Sequence, residues 1–240
     1  MSGPNQSRPW KTALDSITTL AMLAAAVVLI ATSLPDRNIQ PTLGPSAEPP
    51  LPTTPITLDG AATKGNRAAR VLLLEFTDFQ CPYCDRFTKD TLPTLMARYV
   101  DTGRVLFALR HRPLVTIHPN AKKAAEATVC AGRQGKTWDM HDMLFRTSNL
   151  NNLNSAALHT MAAMLSLDGE QFAKCLAGEA TAQVDLDLAI GDALLLRGTP
   201  GFFVGRVQPS GHYLITRIIR GARPLADFMN ALDDAIAESQ

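Results

Sequence analysis

Residues Asp78 to Phe87 read DFQCPYCDRF, with Cys81 and Cys84 three positions apart around Pro82 and Tyr83. Two thiols at this spacing can ligate a metal, close a short disulfide, or exchange electrons with other thiols. Structural zinc wants a second pair of ligands. The chain has no second C-x2-C, and its five histidines are scattered at 111, 118, 141, 159 and 212. A staple across so short a loop removes little freedom from the unfolded chain. Exchange fits the residue types better. Pro82 suits the first position of a helix, where its missing N–H has no partner to lose, and this puts Cys81 at the N-cap. The Cys81 sulfur then faces unpaired backbone N–H groups and the positive end of the helix dipole. Both favour thiolate, the reactive form. Cys84, one turn inside, is placed to attack a mixed disulfide formed on Cys81. The pattern predicts a nucleophile and a resolver, with no metal and no cofactor.

The remaining cysteines are Cys130, in AKKAAEATVCAG, and Cys175, in DGEQFAKCLAG. Both fall in helical patterns, and a bridge between them is geometrically reasonable. Two small buried hydrophobes are the plainer reading. Outside the cytoplasm free buried thiols are unusual, which favours a structural disulfide.

The elements that must hold the pair can be read around it. VLLLEFTDF (Val71 to Phe79) opens with a continuous apolar run, the mark of a strand buried on both faces. A helix follows the cysteines toward Tyr99, with a bend expected at Pro93, and GRVLFALRHRPL holds a second strand. From His118 to Arg197 the period becomes helical. Leu158, Met161, Ala162 and Leu165 share one face. Asp168 and Gln171 have the spacing of a capping box, and Gly178 that of a C-cap. Val184, Leu188 and Leu195 mark a last helix closed by Gly198. GFFVGRV and HYLITRIIRG then form a hairpin around Pro209, Ser210 and Gly211, and Pro224 opens a final helix to about Glu238. This order is an α/β pattern with a helical insertion over 118–197.

The whole chain has 240 residues, 46% hydrophobic and 19% charged, with net charge +1. There is no basic field for nucleic acid. Residues 16–35 carry no charge, and about 20 residues span a bilayer core of about 30 Å. A cleaved signal peptide is the alternative. Seven prolines between Pro35 and Pro55 make 36–60 an extended spacer. A tethered domain needs a spacer and a signal peptide does not, so an uncleaved anchor is the favoured reading. Arg8 and Lys11 keep residues 1–15 in the cytoplasm. Residues 61–240 then form one folded domain in the periplasm or another extracytoplasmic space, held to the inner membrane by a single pass. No feature calls for a dimer, so a monomer is expected.

The ordered set EFTDFQCPYC, LRHRPLVTIHPNAKKAAEA, CAGRQGKTWDMHDMLF, FAKCLAG and RGTPGFFVG resembles the DsbA-like thiol–disulfide oxidoreductases, over Val71 to Gln240. The resemblance implies a thioredoxin-like fold with an inserted helical domain. It implies that Cys81 is the exposed nucleophile and Cys84 its buried partner. It makes Pro200 a cis-proline facing the disulfide, an inference composition could not supply, since only about 5–6% of X–Pro bonds are cis. It gives Thr199 a backbone that pairs with substrate, sets Pro82 and Tyr83 on the substrate side, and makes Glu75 a buried acid that helps move protons. It also matches the Cys130–Cys175 pair to a second, structural disulfide. Strongly oxidising members carry histidine where this chain has Tyr83, and members specialised in reduction or isomerisation often carry threonine at Thr199, so a milder oxidant is expected. Arg86, Arg110, His111 and Arg112 add positive field near Cys81 on one reading and form a solvated rim on the other.

Together these readings predict an extracytoplasmic oxidase that donates the Cys81–Cys84 disulfide to reduced secreted proteins. A membrane redox partner would reoxidise it. The alternatives are a reductase or isomerase with a dedicated client, and a chain-binding or chaperone module that grips extended polypeptide along Thr199.

Overall fold

A computed structural model describes residues 50–147 and 152–239. The charge-free stretch 16–35 lies outside the described residues, as does the spacer up to residue 49. No helix among the described residues is long and apolar enough to cross a membrane.

Among the described residues, five strands form one mixed sheet. They are β1 (Ala62–Lys64), β2 (Val71–Thr77), β3 (Val105–His111), β4 (Gly201–Val207) and β5 (Tyr213–Arg220), in the spatial order β1-β3-β2-β4-β5. β2 and β3 are parallel, and the other neighbours are antiparallel. Every residue of β2 is buried. Alternation splits them between the two faces. Val71 and Leu73 pack with Phe87, Tyr99, Phe202 and Phe228 on one side, while Leu72, Leu74 and Phe76 pack with Leu106, Phe203 and Ile215 on the other. The continuous apolar run in the sequence is the signature of this central position.

The helix that follows the cysteines begins as α1 (Pro82–Arg86), widens into a π-helical turn (Phe87–Thr91), resumes as α2 (Leu92–Leu95) and widens again over Met96–Val100. Pro93 stands in α2, where a proline would remove a helical hydrogen bond and crowd the preceding turn. The π turn just before it accommodates that change of register.

The insertion between β3 and β4 contains α3 (Ala121–Gly132), α4 (Thr137–Arg146), α5 (Ser155–Met164), α6 (Gly169–Lys174) and α7 (Thr181–Ala193). Its core gathers Met140, Leu144, Phe145, Leu158 and Phe172, and it includes Phe79, Cys81 and Cys84 from the sheet side. Asp168 caps α6 by accepting from the Gln171 N–H at 2.9 Å. The reciprocal half of the capping box is replaced, because Asp168 N–H donates to Gln134 Oε1 at 2.8 Å. Leu195 departs from expectation. α7 stops at Ala193, and Leu195 takes a left-handed φ of 55° with its side chain exposed, while Leu194 and Leu196 turn into the core. The helical period misassigned it because two buried leucines flank it.

β1 has no signal in the sequence, being three residues long and only half-buried. The end of the proline-rich stretch is bound to the domain. Ile56 exchanges backbone hydrogen bonds of 2.8 and 2.9 Å with Tyr213, and the carbonyls of Thr57 and Asp59 accept from Arg110. The last helix, α8 (Leu225–Ala237), starts directly after Pro224 and covers the sheet face that carries Val71 and Leu73 with Phe228 and Leu232.

Candidate active site

β2 delivers the chain to a three-residue loop, Asp78 to Gln80, and Cys81 follows as the N-cap of α1 with Pro82 at the first helical position. Asp78 holds this loop with every polar group it has. Its carbonyl accepts from Cys81 N–H at 3.0 Å, and its N–H donates to Cys84 Sγ at 3.5 Å. One carboxylate oxygen accepts from Gln80 N–H at 2.7 Å. The other accepts from Leu114 N–H and meets His118 Nδ1, both at 2.8 Å. Gln80 Oε1 in turn accepts from Asn120 N–H at 2.6 Å, so three hydrogen bonds tie the segment after β3 to the cysteine loop. The sequence reading missed Asp78, Gln80 and His118. An aspartate at a strand end just before a turn is the one available signal, since its side chain reaches the backbone two residues on.

The two sulfurs sit in different surroundings. Cys84 is completely buried, and burial pushes its pKa well above the ordinary thiol value, with Cys81 and the nearby Glu75 charge adding to the rise. Cys81 is lowered from 9.0 to about 6. The largest cause is the hydrogen bond from Cys84. Burial works against it, and Thr199 and the backbone N–H groups of Cys84 and Tyr83 add to the lowering. A value of about 6 lies inside the range of about 3.5–7.5 found for cysteines at helix N-termini and in C-x2-C motifs. The expected exposure of Cys81 is not what the fold provides. Only 4% of its surface is open, because the loop before β4 lies over it and places Thr199 O 3.4 Å from its sulfur.

That loop contains a cis peptide bond between Thr199 and Pro200. The loop brings a backbone carbonyl from 118 residues away to the Cys81 sulfur. Glu75 shares the face of β2 that carries Val71 and Leu73, which is the face the cysteine helix covers. It is fully buried, and burial raises its pKa to about 8, against the Thr77 hydroxyl and together with the charge on Cys81. Tyr83 is the exposed member of the motif at 56%, with the Arg86 guanidinium over its ring at 5.1 Å. Arg110 and Arg112 do not form a solvated rim. Arg110 is buried against Asp187 at 2.6 Å, and Arg112 pairs with Asp192 at 2.8 Å. His111 is buried beside Phe79, with ring centroids 5.9 Å apart, and its pKa is lowered chiefly by that burial.

Cys130 on α3 and Cys175 at the end of α6 are joined in a disulfide, with Cα atoms 5.7 Å apart. Both lie in the core of the insertion, whereas Cys81 and Cys84 are free thiols.

A low-pKa thiol at a helix N-cap, a buried second thiol one turn on and a cis-proline loop against the first sulfur make a site whose chemistry suits thiol–disulfide exchange. A family model described as Thioredoxin matches residues 57–213. The chain belongs to the thioredoxin family and carries a helical insertion between β3 and β4. Among solved structures it is similar to the thioredoxin-like oxidoreductase of Silicibacter pomeroyi, at 26% identity and TM-score 0.61, over 73% of this chain and 92% of that one. It is also similar to α-DsbA1 of Wolbachia pipientis, at 22% identity and TM-score 0.66, over 77% and 94%. BdbD of Bacillus subtilis matches at 20% identity and TM-score 0.66, over 79% and 100%. A curated relative, the Na(+)/H(+) antiporter NhaA 3 of Salinispora tropica, is 35% identical over 188 residues, 78% of this chain and 28% of that protein. The chain spans about a quarter of the length of the curated relatives it matches.

Proposed function

We propose that the protein is a membrane-tethered, extracytoplasmic oxidase that passes the Cys81–Cys84 disulfide to reduced secreted proteins. The observation that carries this reading is the inequality of the two sulfurs, one lowered to about 6 and the other raised well above 9.0. A stabilised Cys81 thiolate stabilises the reduced enzyme, which makes the disulfide the form that gives itself away.

The steps follow from this asymmetry. A substrate thiolate attacks Cys81 Sγ, the S–S bond to Cys84 breaks, and Cys84 leaves with the electron pair. Its high pKa means that it takes up a proton, and Glu75, held protonated near neutrality by its own raised pKa, is placed to supply it. A second substrate thiolate then attacks the substrate sulfur of the mixed disulfide and expels Cys81 as a thiolate. Its low pKa makes it a good leaving group. The substrate has lost two electrons and gained a disulfide, and the enzyme holds a dithiol. A membrane redox partner removes the two electrons and closes the cycle. The carbonyl of Thr199 and the Pro200 turn support an extended substrate strand beside Cys81.

Alkylation trapping in intact cells tests the direction. A pair found mostly oxidised is the expected result, and a pair found mostly reduced overturns the oxidase reading. The reductase or isomerase alternative has one observation in its favour. Tyr83 points into solvent and brings no positive charge to Cys81, which leaves that thiol near 6 rather than at the bottom of the range. A chain-binding module is distinguished by Cys84→Ala. The oxidoreductase readings require mixed disulfides to accumulate on Cys81 in that variant, and a chain-binding module retains peptide affinity without them.

A further inference from the structure

A cavity of about 280 Å³ lies behind the cysteine helix, between α2 and α4. It is separate from the sulfurs and has no part in the exchange steps. Its body is apolar, built from Leu92 and Met96 on one side and Trp138 and Phe145 on the other. Its charged walls are unbalanced, with Lys64, Lys89 and Arg146 against the single carboxylate of Asp142. Lys89 is drawn to Asp85 at 2.7 Å and Arg146 to Asp142 at 3.6 Å. Lys64 forms no direct ion pair among the described residues, although its charge helps to lower the Asp142 pKa, and it lies over the Trp138 ring at 5.5 Å. That indole is held in place by its Nε1–H, which donates to Thr63 O at 3.2 Å.

His141 closes the same wall edge-on between Trp138 and Phe145, with its side chain 1% exposed and its Nδ1 meeting Asp142 Oδ1 at 2.9 Å. An apolar slot with fixed aromatic walls and a cationic margin has the make-up of a ligand site, in which few polar groups orient a largely apolar guest.

We propose that this cavity binds a small amphipathic anion, a flat aromatic acid. The volume admits a body of one or two rings and not a folded partner. The carboxylate would lie toward Lys64, Lys89 and Arg146, and the ring against Trp138. The cavity also touches the active site from behind. Thr88 in its wall is four residues past Cys84, and Phe145 packs against Phe79 with ring centroids 5.0 Å apart.

The two tryptophans are Trp10 and Trp138. Full-length protein carrying Trp10→Phe and labelled with 5-fluorotryptophan therefore gives one 19F resonance, at the cavity wall. It would be titrated with indole-3-acetate and with indole-3-acetamide, which share a ring and a donor but differ in charge. The expected result is a saturable shift with the acetate and binding about tenfold or more weaker for the acetamide. Lys64→Met should weaken the acetate by about fivefold and leave the acetamide unchanged. The proposal is overturned by the absence of a saturable shift with the acetate up to about 10 mM, by equal affinity for the two ligands, or by a folded Lys64→Met protein that binds the acetate as before. The acetate–acetamide comparison decides the matter even where the variant fails to fold.

Discussion

Cys130 and Cys175 come together from 45 residues apart, inside two helices of the insertion, and are bonded to each other. Cys81 and Cys84 are three positions apart at the start of one helix and remain thiols. Burial does not separate the pairs, since all four residues lie in the same core cluster and none is more than 4% exposed. What differs is the polar surrounding. The bridge lies among apolar side chains of the insertion. At the other pair, the helix N-terminus, Thr199 and the neighbouring thiol stabilise one thiolate, while burial and Glu75 oppose the second. A cysteine becomes reactive when its neighbours stabilise its anion unequally, and structural when they leave both partners alike.

Removing the reactive pair should have the largest effect. Cys81→Ser should lower disulfide exchange by on the order of 10³-fold or more, measured by oxidation of a model dithiol peptide, with the thermal midpoint little changed. The double variant Cys130→Ala with Cys175→Ala should do the converse. Closing a loop of this length stabilises by up to about 4 kcal/mol, so the denaturant midpoint should drop accordingly while Cys81 alkylation keeps its pH midpoint near 6. A shifted alkylation midpoint in a folded double variant would erase the distinction between the pairs.

Glu75 sharpens the contrast through pH. Its pKa is raised on folding, from 4.5 to about 8, so between those values the native state holds a proton that the unfolded state has lost. Stability therefore falls as pH rises through this window, at up to about 1.4 kcal/mol per pH unit, and levels off above it. Glu75→Gln should flatten that slope in urea melts taken from pH 4.5 to 8.5. An unchanged slope would show that another group carries it.

Two smaller effects probe the asymmetry itself. Cys84→Ala removes the largest cause of the lowered Cys81 pKa, so the alkylation midpoint should rise by about one unit or more, still below that of a free thiol because the helix terminus and Thr199 remain. Tyr83→His should lower it by about half a unit to one unit by bringing a positive charge near the thiolate. Each unit corresponds to about 30 mV toward the oxidising side in a glutathione equilibrium.

Much of this site could be read in the amino-acid order. Pro82 at a helix start and two cysteines one turn apart are local features, and local sterics fix what they become. The buried central strand was equally readable, because seven residues of VLLLEFT leave no polar face to turn outward. Leu195 and β1 were not readable. The first looks like its buried neighbours in any helical period, and the second is an edge strand held by pairing to β3 rather than by its own composition.

The sequence by itself determined that Cys81 caps a helix and that Cys84 lies one turn inside it, since spacing and a single proline set that order. The tertiary structure decided how unequal the two thiols are. It buried Glu75 beneath the cysteine helix, gave Asp78 four donors and the N–H that reaches Cys84, and laid Thr199 from 118 residues away against the Cys81 sulfur. It also took Arg110 and Arg112 out of the site by pairing them with α7. Desolvation and electrostatic coupling are sums over everything packed around a group, and residues distant in sequence supply most of those neighbours.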